Sequence, residues 1–226
     1  PHNLDILRKV RINIGGVSKL SKDRLIDELK KITKIETLQK LTKDKYCIDL
    51  LLMIFPELKN IKIFSRLNLI IKELSKEKDF IFLLSLMIID ETDNADYFLY
   101  KFNISKKDQK RIKIIDDFYK EKINSKTFSE NNLNKVFYYN GKEAIIDILC
   151  HKIIKSKKVD NNLKELIRHY EKNKVPLMPI NANLLMQKYE INEGKQLGEK
   201  LKIIEREWVK NNFKISDQQI DNIVKN

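Results

Sequence analysis

The chain has 226 residues, 42% of them hydrophobic, so it can bury one large core or two modest ones and is not a disordered tail. Only five glycines and four prolines interrupt it, which argues against sandwiches and barrels and predicts an all-α array of about ten to twelve helices. Lys and Arg outnumber Asp and Glu by 45 to 32, and the formal charge of +13 favours a polyanionic partner. The codon preference of an AT-rich genome would also raise the lysine content, and an acidic membrane surface is a weaker alternative partner.

The first third of the chain predicts three helices. Apolar residues at helical spacing predict the first one up to the pair Gly15-Gly16, where a turn is expected. Ser21 is the expected N-cap of a second helix that runs to about Lys34. A third helix is predicted over residues 35–55, and Pro56 should end it.

The rest of the chain predicts further helices on both sides of a polar stretch at 124–134, which combines turn formers with lost periodicity. The helices are expected at residues 64–74, 78–89, 95–102, 106–122, 133–139, 141–155, 161–174, 182–189 and 194–213. The predicted division is therefore 1–60, 61–123, a linker at 124–132, and 133–226.

Patterns that could carry catalysis are missing from the sequence. There is no Asp-x-Asp pair and no Gly-x-Gly loop, which metal-dependent phosphoryl chemistry would require. The acidic run at residues 90–93, with Asp96, is interpreted as a solvated loop, and a weak cation site is the alternative. The neighbours Cys150 and His151 point in different directions on a helix. Cys47 and Cys150 lie in apolar stretches and fit a reducing cytoplasm. We therefore predict no catalytic residue and no metal site.

Basic residues give the stronger signal, because several clusters on one surface would follow a phosphate backbone. A solvated helix face is the alternative for any single cluster. Phe137-Tyr138-Tyr139 and Trp208 could stack on bases, although the spacing of Trp208 favours a place in the core. The predicted phosphate contacts are Arg11, Lys19, Lys22, Arg24, Lys107, Lys110, Arg111, Lys155, Lys157, Lys158, Lys195, Lys200 and Lys202, with Asn181 and Asn183 as hydrogen-bonding partners of the RNA backbone.

Several motifs resemble one known family. Residues 20–32 (LSKDRLIDELKKI) are similar to the Ser-x-Glu-Arg-Ile-x-x-Glu-Leu-x-Lys helix of the bacterial CCA-adding tRNA nucleotidyltransferase and poly(A) polymerase family. Residues 55–58 (FPEL) are similar to a turn in its central region. Residues 175–185 (VPLMPINANLL), 193–198 (EGKQLG) and 205–208 (EREW) resemble its carboxy-terminal pattern.

The resemblance implies that the chain supplies the helical neck, body and tail, which position tRNA or another RNA 3′ end. Ser21, Arg24 and Glu28 would lie in the last neck helix and support the nucleotide pocket. The α/β catalytic head, with its Mg²⁺ and its ATP or CTP, would lie upstream, so neither a cofactor nor transfer activity is expected of this chain alone. No membrane partner is expected, and self-association of the chain stays open.

Two other functions remain open at this point. A helical interaction module could use the basic surface to bind an acidic protein, and an exposed apolar groove would favour it. A helix-turn-helix DNA binder could use residues 21–34 as its recognition helix, although the required small-residue turn is missing.

Overall fold

The computed structural model describes residues 4–67, 78–121, 127–156 and 160–225. All regular elements in these ranges are helices and none is a strand, which confirms the predicted all-α class. The α-helices are α1 (Leu4–Ile12), α2 (Lys22–Ile32), α3 (Ile35–Leu41), α4 (Lys45–Ile54), α5 (Phe80–Ile88), α6 (Asn94–Lys101), α7 (Lys106–Lys120), α8 (Glu130–Ser156), α9 (Asn161–Lys172), α10 (Ala182–Tyr189), α11 (Lys195–Lys210) and α12 (Asp217–Lys225). Two 3₁₀ helices, Ile14–Lys19 and Ile61–Arg66, complete the described elements.

The N-cap predicted for α2 is confirmed, because the Ser21 hydroxyl accepts a hydrogen bond from the backbone N–H of Arg24 at 3.2 Å. The glycine pair lies inside the 3₁₀ helix Ile14–Lys19 and not in an isolated turn. A 3₁₀ helix is a short run of i to i+3 turns, so the tight backbone expected there continues over six residues.

The prediction of a single helix over residues 35–55 was wrong, because the structure has two helices there, α3 and α4. Asp44 starts the second one: its carboxylate accepts hydrogen bonds from the backbone N–H groups of Tyr46 at 2.9 Å and Cys47 at 3.4 Å. Pro56 follows the end of α4, as expected.

Three other elements differ from the sequence expectations. The first part of the helix predicted at 64–74 is a 3₁₀ helix, and residues 68–77 lie outside the described ranges. α8 begins at Glu130, inside the stretch expected to be a linker. α12 was not predicted at all.

Gly141 interrupts α8 with φ +84° and ψ −179°, a backbone conformation that is open almost exclusively to glycine. The two arms on either side of it agree with the two helices predicted at 133–139 and 141–155. A Cβ atom added at Gly141 would meet nothing within 4 Å, so backbone strain alone disfavours other residues there.

The contacts divide the chain into two compact units. Unit 1 consists of Pro1–Lys122 and Ile146–Arg168, and unit 2 consists of Ile123–Ile145 and His169–Asn226. The four-part division expected from the sequence stays a prediction.

The core of unit 1 contains α5, on which residues 82–88 are all buried. Buried charge accompanies this apolar core. The Asp147 carboxylate, only 1% exposed, accepts hydrogen bonds from Lys78 Nζ at 3.1 Å and Arg111 Nε at 2.7 Å. Asp79 accepts a further bond from Arg111 and also caps α5, so a single ionic network joins two of the helices of this unit to the segment that carries Asp147.

Unit 2 has an apolar core built around Leu185, Leu197, Ile204 and Ile220. An aromatic cluster lies in the same unit. The Trp208 ring is 5.3 Å from the Tyr138 ring and 5.0 Å from the Phe213 ring, measured between centroids. Trp208 is only 3% exposed, which confirms the core position predicted for it.

Candidate nucleic-acid interface

A basic groove of about 680 Å³ lies in unit 2, between the first arm of α8 and the second half of α11. The lining residues recur at steps of three or four along α11 and mostly four along α8. One face of α8 therefore forms one wall of the groove, and one face of α11 forms the other. We call it the α8/α11 groove; its lining residues are Asn131, Asn132, Lys135, Tyr139, Lys202, Glu205, Arg206, Val209 and Lys210.

Contacts beside the groove hold its two walls together. The Tyr138 hydroxyl donates a hydrogen bond to Glu205 Oε1 at 2.8 Å, and its ring packs edge-on against Trp208. Asn134 Nδ2 donates to Asn212 Oδ1 at 3.2 Å, next to the end of α11. These bonds fix the spacing of the two helices and leave the neighbouring face of each one to line the groove.

The groove carries four cationic side chains and one carboxylate. The carboxylate, Glu205, already accepts the Tyr138 hydroxyl; burial first, and then this hydrogen bond, raises the pKa of Tyr138 to about 12. Lys210 forms only an exposed pair with Glu207 at 3.4 Å, which contributes little stability. The other three cations, Lys135, Lys202 and Arg206, form no ion pair with any residue in the described ranges.

Tyr139 is the aromatic residue of the groove. About half of it is exposed (48%), and its ring lies 5.0 Å from that of Tyr138 at an interplanar angle of 77°. Its neighbour Phe137 is 2% exposed and belongs to the core. Of the three consecutive aromatic residues considered as stacking candidates, the structure therefore presents Tyr139 to solvent in this groove.

Among the phosphate contacts expected from the sequence, Lys202 lies in the α8/α11 groove. The other candidates in unit 2 lie outside its lining. Lys195 is exposed beside Glu199, and Lys200 Nζ donates to the backbone oxygen of Ile223 at 3.2 Å. Asn181 caps α10 by accepting the backbone N–H of Leu184 at 2.9 Å, and Asn183 is exposed on that helix.

Sequence reasoning missed three of the four groove cations, namely Lys135, Arg206 and Lys210. A signal was present for α11, where Lys202, Arg206 and Lys210 follow each other at four-residue steps and so share a face. For Lys135 there was none, because it reaches the groove through the packing of α8.

The candidates in unit 1 are more scattered. Arg11 and its neighbour Arg8 line a second groove of about 560 Å³ between α1 and α4, together with the exposed residues Tyr46 and Met53. The remaining exposed candidates are Lys19, Lys22, Arg24, Lys107 and Lys110. Lys157 and Lys158 lie outside the described ranges.

Two candidates of unit 1 have partners inside that unit. Arg111 lies between the carboxylates of Asp147 and Asp79, and these hydrogen bonds raise the pKa of its guanidinium against the opposing effect of burial. Lys155 Nζ donates to the backbone oxygen of Ile89 at 2.9 Å, and burial lowers its pKa. Because both cations already donate hydrogen bonds inside unit 1, fewer of their N–H groups are available to a phosphate.

In the acidic loop, Asp90 accepts hydrogen bonds from Lys59 and Thr92, as in a solvated turn. Cys47 and Cys150 are buried free thiols. Within the described ranges, no three His, Cys, Asp or Glu side chains are placed to hold a metal ion, and no helix there has both the length and the apolar character for a membrane span.

The family model described as tRNA nucleotidyltransferase domain 2 matches residues 72–224, which include the α8/α11 groove and the carboxy-terminal motifs at 175–208. No curated protein matches the sequence. Since the family model covers more than half of the chain, the protein belongs to the tRNA nucleotidyltransferase family, which its motifs resemble.

Proposed function

We propose that this chain holds RNA, with tRNA as its main ligand, while a nucleotidyltransferase active site extends the RNA 3′ end. The chain would bind the RNA and position its 3′ end at the active site. It would need no cofactor for this binding. Membership in the tRNA nucleotidyltransferase family carries the proposal. The α8/α11 groove supplies a physical means, because Lys135, Lys202 and Arg206, which form no ion pair within the described ranges, are available to phosphate oxygens.

Phosphate contacts would dominate the binding energy. Each cation that neutralises a phosphate releases a condensed counterion, so the affinity falls steeply with salt. Arg206 can grip a phosphate with two hydrogen bonds, whereas the lysines act as point charges. Further phosphate contacts are proposed within each unit by itself: Arg11, Lys19, Lys22, Arg24, Lys107 and Lys110 are exposed in unit 1, and Lys195 is exposed in unit 2. Asn183, also exposed in unit 2, would be a hydrogen-bonding partner of the RNA backbone.

The neck assignment belongs to the same proposal. Ser21, Arg24 and Glu28 lie on or next to α2, where Glu28 pairs with Lys31 at 2.8 Å. We propose that this helix supports the nucleotide pocket of the active site and takes no part in transfer. The two buried free thiols fit a reducing compartment, and we place the activity in the cytoplasm.

Binding of the whole chain to tRNA, to duplex DNA of equal charge and to polyglutamate, measured across a salt series, tests the proposal. We expect a preference for tRNA that persists near physiological salt. Equal and steeply salt-dependent binding to tRNA and duplex DNA would indicate a generic basic surface and contradict the proposal. Tighter binding to polyglutamate would favour the protein-interaction module instead.

A pair of double variants tests the role of the groove in the same assay. Replacing Lys202 and Arg206 by Gln should weaken tRNA binding about tenfold or more and reduce the salt slope by about one to two. The matched control replaces Lys172 and Lys174, which are exposed in unit 2 but do not line the groove, and it should bind like the unchanged chain. If both double variants bind equally well, the groove is not the RNA site.

A further inference from the structure

We infer that the α8/α11 groove receives one unpaired nucleotide of an RNA strand, with the base stacked on Tyr139 and the adjoining phosphates held by the cations of α11. This inference rests on the proposed function and makes it more specific. It predicts that the chain distinguishes a looped RNA from a continuous duplex at this groove. Three observations support it: the aromatic ring, the spacing of the charges and the size of the groove.

The ring of Tyr139 is held in place before any ligand binds. It contacts the Tyr138 ring edge-on at 5.0 Å, and Tyr138 is fixed by its hydrogen bond to Glu205 and its contact with Trp208. Nearly half of Tyr139 nevertheless remains exposed. A base can stack on such a ring with little loss of conformational entropy, because the protein has already ordered the side chain.

An unpaired base suits this ring better than a base inside a duplex. The bases of a continuous duplex are stacked on each other, and recognition of RNA bases by aromatic residues therefore occurs in loops, bulges and single strands. The position of Tyr139 among the groove cations thus favours a looped or single-stranded segment over a helical one.

The cations of α11 are spaced so that they could contact the phosphates on both sides of the stacked base. Lys202, Arg206 and Lys210 are four residues apart on α11, and each step corresponds to about 6 Å along a helix axis. This separation is on the order of that between neighbouring phosphates in a nucleic-acid strand. Lys135 faces the same groove from α8, so the strand would be neutralised from both walls.

The size and the polar lining fit one nucleotide. The groove volume of about 680 Å³ lies in the range of roughly 300–1,000 Å³ that is typical of pockets for single small ligands. The carboxamide of Asn131 can both donate and accept a hydrogen bond, which suits a base edge or a 2′-hydroxyl group. An acidic peptide would use the cations but would gain no stacking on Tyr139.

The test compares two fluorescently labelled RNAs that bind the whole chain: a hairpin with an unpaired loop and a fully paired duplex of equal charge. Tyr139→Ala should weaken hairpin binding about tenfold, because stacking on one aromatic ring is lost. Duplex binding and the salt slope should not change, and Tyr139→Phe should restore hairpin binding. Tyr100→Ala is the matched control, since Tyr100 is 85% exposed on α6 in unit 1.

A second readout does not depend on a variant that must fold. The fluorescence of a 2-aminopurine base placed in the loop should be quenched when the unchanged chain binds, as expected for stacking. Hairpin affinity unchanged by Tyr139→Ala, or loop fluorescence unchanged on binding, would overturn the inference. If the Lys202 and Arg206 double variant still loses tRNA binding in that case, the proposed function stands without it. Failure of the unchanged chain to bind any RNA overturns both.

Discussion

Lowering the pH from 8 to 5 should destabilise unit 1 through His151. Its imidazole is completely buried, 5.1 Å from the Tyr119 ring and 6.5 Å from the Phe82 ring between centroids. Burial first, and the nearby Lys155 cation second, lower the pKa of His151 to about 3. The histidine therefore stays neutral in the folded protein across the ordinary pH range.

The sign follows from the protons bound in each state. In the unfolded chain the histidine has its ordinary pKa of about 6.5, so between pH 6.5 and 3 the unfolded state binds more protons. The free energy of unfolding must therefore fall as the pH falls through this window. One pKa unit corresponds to about 1.4 kcal/mol, so the loss between pH 8 and pH 5 is about 2 kcal/mol.

Urea unfolding followed by far-ultraviolet circular dichroism at several pH values measures this loss. His151→Leu supplies the comparison, because it keeps an apolar side chain at the site and removes the titrating group. Asp116, whose pKa is raised by burial, and the carboxylates with lowered pKa values titrate in both proteins, so their contributions cancel in the difference. Equal pH dependence of the unchanged protein and His151→Leu would refute the reasoning.

Three further predictions concern stability and can be checked by the same unfolding assay. Asp147→Ala should destabilise the protein by about 3 kcal/mol, because it leaves Arg111 without its buried partner; a loss below about 1 kcal/mol would contradict this. Gly141→Ala should lower the free energy of unfolding by about 2 kcal/mol, because alanine is strained in this backbone conformation. Gly198→Ala, inside α11 with free space around it, should raise the free energy of unfolding by up to about 1 kcal/mol. Effects of equal sign would contradict the backbone argument. Ser21→Ala should cost about 1 kcal/mol through the lost N-cap of α2, and Ser21→Asp should restore it.

Much of the helical architecture could be predicted because its signals are local. Ser21 lies directly before a periodic segment, and the apolar run of α5 and the glycine at 141 mark their elements without help from distant residues. Two of the differences from the expected elements concern local signals as well. The apolar periodicity across residues 35–55 concealed the cap at Asp44. In α12, Ile220, Ile223 and Val224 have helical spacing, so the signal for this helix was present in the sequence and was overlooked.

The α8/α11 groove could not be predicted in the same way, because its walls come from segments about 70 residues apart. Their alignment depends on the bond from Tyr138 to Glu205, which no periodicity encodes. The same reason explains Arg111, which looked like part of an exposed basic cluster. Its partner Asp147 lies 36 residues further along the chain, and only the tertiary fold brings the two together.

The way in which the two units share the chain has a consequence for biosynthesis. The first segment of unit 2 leaves the ribosome before unit 1 has received Ile146–Arg168, and so before Asp147 can meet Lys78 and Arg111. That early segment must then wait for α11, since Tyr138 finds Glu205 only 67 residues later. Neither unit is therefore complete when residue 145 has been synthesised, and a product that stops before residue 146 would contain neither of them whole.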